Sequence, residues 1–347
     1  MVDPFSVYFW IRTTERRQGF PAIATNKGWD DGSVFDYTDS HNYGFSLTSG
    51  SLAGWAIVLQ PNGAWAWNIG DGKQRLDYQP TGERQTVSDG KWHLLAFVAD
   101  VENSAAKLYY DGVQVALYSL AGMDLVNGPN GHFGALFGQN ETIHQTPEAL
   151  VSDQILQLYQ ERLSVRPSTY PNFNPKCKLR VMSWNIWNGG REDGIDIGVQ
   201  RVTEVIRKSG ADIVAMQETY GSGPRIADAL GYHLYLRSSN LSVISRYPAV
   251  SHHSLYKPFN LGGVSLELNP SLTIDVFTLW LHYLPDFCSD VLVEGITAEV
   301  LQKSEWNTRA SEIKQVLVEI SEKFFGSRLF VAGDFNCPSH LDWTESA

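Results

Sequence analysis

Three apolar runs in this chain end on amides or carboxylates. Leu329-Phe330-Val331-Ala332 leads into Gly333-Asp334-Phe335-Asn336, Val181-Met182-Ser183-Trp184 leads into Asn185, and Ile213-Val214-Ala215-Met216 leads into Gln217-Glu218. A buried strand that delivers such groups at its C-terminal edge is where α/β enzymes keep their polar chemistry. Three such edges in one stretch predict a divalent-metal site for phosphoester chemistry. Carboxylates hold a hard cation, and the cation shields phosphate oxygens. Glu218 is the expected direct metal ligand, because Mg²⁺ takes one or two carboxylates and keeps several waters. Asn185 cannot neutralise the ion, but its carbonyl can join the shell or hold a metal-bound water. Asp334 and Asn336 stand two apart, so an extended strand would turn both to one side and Phe335 into the core. The structural alternative for Asp-x-Asn is an Asx turn.

The elements that must position these groups read as α/β from residue 178 onward. Val199, Val202 and Ile206 mark a helix that stops near Gly210, and Pro224 opens another through Leu230. Thr273 to Leu281 is a long buried strand ending at His282, and Trp306 to Phe324 is an amphipathic helix. Leu329 to Ala332 is apolar throughout, so its strand is expected to be central in the complete fold.

Here the motifs resemble a known family. Ser183-Trp184-Asn185-Ile186, Gln217-Glu218, Leu241-Ser242-Val243-Ile244-Ser245-Arg246-Tyr247-Pro248, Leu281-His282 and Gly333-Asp334-Phe335-Asn336 follow one another as in the endonuclease/exonuclease/phosphatase superfamily. That superfamily includes DNase I-like nucleases, inositol polyphosphate phosphatases and neutral sphingomyelinases. The resemblance implies a two-sheet α/β sandwich flanked by helices and an Mg²⁺-dependent hydrolase, with Mn²⁺ as the substitute ion. It implies Glu218 and Asn185 as the metal residues. Asp334 would orient or deprotonate the attacking water, Asn336 would donate to the phosphate, and His282 would bond the scissile phosphate. Arg246, Arg309 and Tyr220 are lesser candidates for the pocket wall, and His340 and Asp342 read as loop residues. The family's closing Ser-Asp-His segment has no counterpart after residue 336. The expectation is therefore a C-terminally incomplete domain.

Residues 1–163 have a different rhythm. Short aromatic-rich strands alternate with turns, as in Trp55 to Leu59 and Ala64 to Ile69 across Gln60-Pro61-Asn62-Gly63. Lys107 to Tyr110 and Val113 to Leu117 flank Asp111-Gly112, whose residues tolerate positive φ. This predicts an all-β sandwich with its own core, able to fold without the rest. Phe5 to Arg12, Asp89-Gly90-Lys91-Trp92-His93 and Leu108-Tyr109-Tyr110-Asp111-Gly112 resemble laminin-G-like, concanavalin-A-like lectin domains, which implies an all-β jelly-roll sandwich. That resemblance implies a glycan or extracellular protein ligand. Pro147 to Arg162 reads as a helix. Residues 164–177 carry three prolines and read as a stiff linker, followed by the hydrolase-like domain at 178–347.

Composition narrows the function further. The 347 residues carry a net charge of −11, most of it in residues 1–163. No basic stripe marks a tight nucleic-acid binder, so nucleic acid is the disfavoured phosphoester substrate. No apolar run reaches spanning length. No signal peptide is visible at Met1 to Ser6, and Phe5, Val7, Phe9 and Ile11 already alternate like a strand, so an N-terminal portion is expected to precede them. An extracellular location is expected from the lectin-like half alone. Cys177, Cys288 and Cys337 form no disulfide or zinc pattern. Two functions are consistent with these readings. One is a metal-dependent phosphodiesterase or phosphatase with an accessory lectin-like domain. The other is a carbohydrate- or protein-binding protein whose hydrolase domain is inactive.

Overall fold

The computed structural model describes residues 3–29, 53–126, 131–134, 139–163, 171–174 and 178–337. The N-terminal half forms β1 (Phe5–Arg12), β2 (Ala22–Thr25), β3 (Gly54–Leu59), β4 (Trp65–Gly70), β5 (Arg75–Tyr78), β6 (Trp92–Asp100), β7 (Ala105–Tyr110) and β8 (Val113–Ser119). Three short strands follow, β9 (His132–Phe133), β10 (Gln139–Asn140) and β11 (His144–Thr146), and then helix α1 (Ser152–Leu163). The C-terminal half runs β12 (Val181–Asn185), α2 (Ile195–Ser209), β13 (Ile213–Gln217), α3 (Gly223–Leu230), β14 (His233–Leu236) and β15 (Ser242–Ser245). It continues through β16 (Ala249–His253), β17 (Leu261–Asn269), β18 (Leu272–Trp280), the single-turn α4 (Phe287–Asp290), α5 (Ala298–Asn307), α6 (Arg309–Phe324) and β19 (Leu329–Asp334).

The sandwich half has the expected all-β character. Its aromatic residues Trp55, Trp65, Trp67, Phe97 and Tyr118 are buried between two sheets and meet edge-on or tilted. The Asp-Gly-Lys-Trp-His and Tyr-Asp-Gly motifs turn out to be one network. The His93 ring lies 2.9 Å from Asp111 through Nδ1 and 2.9 Å from Asp89 through Nε2. Tyr110 lies 2.8 Å from the same Nδ1, and Asp111 accepts from the Leu94 amide at 3.0 Å. The motif therefore ties one hairpin to its neighbour.

Among the described residues the strands form three sheets. One is the outer sheet of the sandwich, β5-β4-β3-β2-β9. Another is β16-β17-β18-β19, with β19 at its edge, half-exposed and with Phe330 outward. The third crosses both halves in the order β10-β1-β6-β7-β8-β14-β15-β13-β12, with β11 also on β1. The crossing point is a parallel pairing of β8 with β14, Ala116 to Leu234, Leu117 to Tyr235 and Tyr118 to Leu236. One core cluster accordingly includes Phe97 and Tyr118 from the sandwich with Met216, Ile226 and Leu234 from the α/β half.

Buried polar contacts lock the junction. Asp228 at the end of α3 accepts from the Thr81 amide and hydroxyl and from Gln85 Nε2 at 2.9 Å. Gln114 donates to the Ala249 carbonyl at 2.7 Å, Arg237 to Ser119 Oγ at 2.9 Å, and His252 to the carbonyls of Asn103 and Ser104. Sequence periodicity predicts an independently folding sandwich, but the sandwich taken alone would expose the β8 edge and these donors and acceptors.

Other boundaries move by a few residues. The helix expected over Pro147 to Arg162 begins at Ser152. The one expected over Trp306 to Phe324 is α6 from Arg309 onward, while Trp306 and Asn307 close α5 and Thr308 between them has φ −120° and ψ −102°. The linker lies outside the described residues except for 171–174, where the Phe173 amide donates to the Leu268 carbonyl at 2.8 Å. Cys177, His340 and Asp342 also lie outside them, while Cys288 and Cys337 are exposed and form no disulfide among the described residues.

Two outcomes follow from this packing. Because the halves share a sheet and a core, the protein should melt in one calorimetric transition. Asp228→Ala, which removes the acceptor for the part-buried Thr81 amide and hydroxyl and for buried Gln85, should lower stability by roughly 2 kcal/mol. Two well-separated transitions in the unaltered protein would contradict the shared-sheet account. The second outcome concerns His93. Burial works against its protonation, but the bonds and charges of Asp111 and Asp89 outweigh it and raise its pKa above the ordinary value. A raised folded-state pKa stabilises fully below about pH 6.5 and fades as pH climbs through the folded value. Asp89 is partly desolvated, but its bonds from His93 and Lys91 hold its pKa at about 2, so the pair stays charged well into acid. His93→Gln should therefore cost most near pH 5.5 and progressively less toward pH 9 in urea titrations. A loss that is flat across that range would remove the charged-histidine account.

Candidate active site

The α/β half stacks the β12-β13-β15-β14 segment of the long sheet against β16-β17-β18-β19, and the strand ends converge at one side. β12 and β13 are parallel with Asn185 opposite Gln217, so their C-terminal ends deliver Asn185 and Glu218 side by side. β19 is parallel to β18 with Asp334 opposite Trp280. Gln217 crosses between the sheets and donates to Thr278 Oγ1 at 2.9 Å. Close approach of β19 to β18 depends on Gly333, where a Cβ would stand 2.1 Å from the Leu279 carbonyl oxygen.

Three of the five site residues read from the sequence are joined by direct bonds. Asn185 Nδ2 donates to Glu218 Oε1 and to Asp334 Oδ2, each at 2.9 Å. The Asn185 carbonyl accepts from the Trp187 amide at 2.9 Å, so its amide nitrogen, not its oxygen, is turned toward the carboxylates. The second Glu218 oxygen accepts from the Asn188 amide at 3.1 Å. The second Asp334 oxygen accepts from the Asn336 amide at 2.9 Å, which is the Asx turn. Asp334 thus makes the turn with one oxygen and meets Asn185 with the other.

That turn corrects the reading of Phe335. Regular strand ends at Asp334 and Asn336 has φ +48°, so the alternation of faces stops there and Phe335 is exposed. The Asn336 side chain reaches back to the Leu281 carbonyl at 2.7 Å. Leu281 in turn donates its amide to the Asp334 carbonyl at 3.0 Å. His282 is therefore tied to this corner through the backbone. Its ring is exposed beside Trp280 and Tyr283.

Of the lesser candidates, Arg309 is a buried prop. It pairs with Glu305 and donates to the carbonyls of His282 at 2.9 Å and Pro285 at 2.8 Å. Arg246 is not at the site. It pairs with Asp212 at 3.3 Å, at the N-terminal end of β13, the opposite end from Glu218. Tyr220 lies in the turn beyond Glu218, where its carbonyl accepts from Arg191.

Local backbone geometry is unusual here. Glu218 has φ +55°, and Trp187, Asn188, Gly189 and Gly190 are all left-handed. Such positions cost non-glycine residues roughly 1–3 kcal/mol and persist only where surroundings over-determine them. For Glu218 the surroundings are specific. Its amide donates to Asn240 Oδ1 at 2.8 Å and its carbonyl accepts from Gly189 at 2.7 Å. The glycine-rich turn is in contact with α2 at Gly198, whose Cβ would fall 1.6 Å from the Gly190 carbonyl oxygen. Asn240, Asn188 and Gly198, which hold this corner, were not singled out from the sequence. The only local signal for Asn240 is an asparagine in a Ser-Ser-Asn turn between two short strands.

Comparison with known proteins bears on each half of the chain separately. Residues 182–347 match the endonuclease/exonuclease/phosphatase family, and residues 2–144 match the concanavalin A-like lectin/glucanases superfamily. The chain joins a lectin-like domain to an endonuclease/exonuclease/phosphatase domain. An uncharacterized protein of Caenorhabditis elegans is 29% identical over 205 residues, 55% of this chain and 63% of that protein. Thus the chain spans under two thirds of that relative's length. Among solved structures, the CBM40 of the Ruminococcus gnavus IT-sialidase bound to α2,3-sialyllactose is 12% identical, with 46% of this chain and 83% of that one covered and a TM-score of 0.32. A D. rerio TDP2 humanized by 14 mutations is 15% identical, with 46% and 63% covered and a TM-score of 0.34. Likenesses of that size bear on neither activity nor ligand.

The Glu218 and Asp334 carboxylates share one neutral donor. Among the described residues no Lys, Arg or His pairs with either, and no group of three or more His, Cys, Asp and Glu side chains is clustered as a metal cage. Replacing the shared donor by a third carboxylate tests the arrangement directly. In the presence of a chelator, Asn185→Asp should lower stability at neutral pH by about 2 kcal/mol, through lost bonds and added repulsion, and recover part of that in acid. An unchanged urea midpoint would show that the Asn185 bonds carry no stability.

Proposed function

We propose that the protein is a divalent-metal-dependent phosphoester hydrolase whose lectin-like domain engages a glycan or an extracellular protein. One observation carries the reading: Asn185, Glu218 and Asp334, from three separate strands, are joined by hydrogen bonds of 2.9 Å at one end of the sheets. Two carboxylates without a basic partner fit a hard dication, and too few protein ligands for a cage fit Mg²⁺, which keeps several waters; Mn²⁺ suits the same donors. Glu218 would hold the ion, with Asn185 beside it and the Asp334 carboxylate adding negative potential. Bound there, it would supply charge neutralisation at the phosphate oxygens.

The remaining roles belong to the protein's own groups. Asp334 has an oxygen directed into the site, where it orients the attacking water. Asn336 commits one N–H to Leu281 and keeps the other for a phosphate oxygen. His282 follows Leu281 directly, and its exposed ring can donate to the scissile phosphate. The exposed Trp187, next to Asn185, provides an apolar wall at the site's rim. Among the described residues no helix is long and apolar enough to cross a membrane. The acidic balance of the chain favours small or lipid-borne phosphoesters over long polyanions, and the lectin-like domain favours an extracellular setting.

The test is hydrolysis of bis-p-nitrophenyl phosphate with Mg²⁺ or Mn²⁺. Glu218→Gln keeps the volume and removes the charge, so turnover at limiting Mg²⁺ should fall by about 100-fold or more, with little change in melting temperature. Chelator-insensitive turnover, or a wild-type rate in the variant, would sink the metal reading. No turnover combined with glycan binding by the intact protein would favour the alternative, a binding protein with an inactive hydrolase domain.

A further inference from the structure

We infer that Asn240, in the turn between β14 and β15, is a positioning residue for Glu218 and sets the affinity of the site for its divalent cation. The inference rests on the reading of Glu218 as a metal-holding carboxylate.

Three consecutive amides after β13 are all received by this turn. Glu218 donates to Asn240 Oδ1 at 2.8 Å, Thr219 to the Asn240 carbonyl at 3.2 Å, and Tyr220 to the Ser239 carbonyl at 2.8 Å. The Thr219 hydroxyl also donates to the Asn240 carbonyl. Glu218 reaches the site only because its backbone adopts φ +55°, and a short run of left-handed backbone needs a fixed partner to hold it. Asn240 is that partner. It is fully buried, and its own amide donates to the Phe259 carbonyl at 2.8 Å, which fixes which way its oxygen points.

The turn itself is anchored at both ends. The Arg237 amide donates to the Leu241 carbonyl at 3.0 Å, closing it. The Arg237 guanidinium, buried, donates to Ser119 Oγ at the end of β8 and to the Leu261 carbonyl. A buried amide with every strong bond committed to backbone has no surface or substrate contact to explain its placement. What its oxygen does is hold the one residue that must present a carboxylate. Groups that orient a ligand in this way typically cost 10–100-fold in metal affinity when removed.

The experiment is Mn²⁺ binding to the intact protein, followed by electron paramagnetic resonance of the free ion, with melting curves alongside. Asn240→Ala should weaken Mn²⁺ binding by about 10-fold or more. Asn240→Asp keeps an oxygen toward the Glu218 amide and should recover most of the affinity. Wild-type affinity in Asn240→Ala, or no recovery in Asn240→Asp, overturns the proposal. Glu218→Gln serves as the control for the underlying reading. If Glu218→Gln binds Mn²⁺ as tightly as the unaltered protein, the metal reading falls and takes this proposal with it. If Glu218→Gln is crippled while Asn240→Ala is not, only the proposal falls. Should Asn240→Ala not fold, hydrogen exchange in the unaltered protein decides instead. The Glu218 amide should be protected, and exchange at the rate of an open loop overturns the proposal by itself.

Discussion

The pairing of β8 with β14 is the constraint on which the rest of the molecule depends. In the α/β half, β14 flanks β15 and would otherwise be an open edge. In the sandwich, β8 is the last strand of its sheet. Either edge alone presents unpaired backbone groups, a template for association. Joined, they extend one twisted sheet through both halves and bring Asp228, Gln114 and Arg237 to buried partners across the junction. Because β14 is held on one side by the sandwich and on the other by β15, the turn between β14 and β15 has little freedom. That turn receives the amides of Glu218 to Tyr220, so the geometry of the site has a foundation in both halves.

How much of this could be read from the sequence depends on whether the signal was local. The strands ending at Asn185, Glu218 and Asp334 were legible because an apolar run closing on a polar residue is a local pattern. The helix ending at Gly210 was legible because the glycine adopts the left-handed cap that its position requires. The sandwich's hairpins were legible from Asp-Gly and Asn-Gly turns. What was not legible depends on tertiary pairing. Nothing near Val113 to Ser119 announces a parallel partner more than a hundred residues later, since its apolar character suits a partner on either sheet. Phe335 was misread because the period-2 rule holds only while the strand lasts, and the Asp334 side chain ends the strand by capturing the Asn336 amide. The break at Thr308 was not legible because no glycine or proline marks it in the sequence.

Charge explains why the site is built from an asparagine between two carboxylates. Glu218 and Asp334 brought together in a half-buried corner repel each other, and no arginine or lysine among the described residues offsets this. A cationic side chain there would satisfy the carboxylates permanently and compete with any dication. The Asn185 amide instead donates to both without adding charge, which keeps the pair oriented and leaves its negative potential available. Arg309, the buried cation that does lie nearby in the fold, is neutralised by Glu305 and spent on the His282 and Pro285 carbonyls. The local design thus separates the basic group that shapes the loop from the acidic groups that define the site.

The shared sheet also changes what an accessory domain can do. A lectin-like module on a flexible tether of some 14 residues would wander over roughly 20 Å and raise local substrate concentration without fixing orientation. Here the strand pairing and the buried Asp228 and Arg237 contacts replace that freedom with one geometry. A surface bound by the sandwich would meet the hydrolase site at a set angle and distance. The junction thus makes the position of Asn185, Glu218 and Asp334 relative to the sandwich a property of the fold and not of a linker.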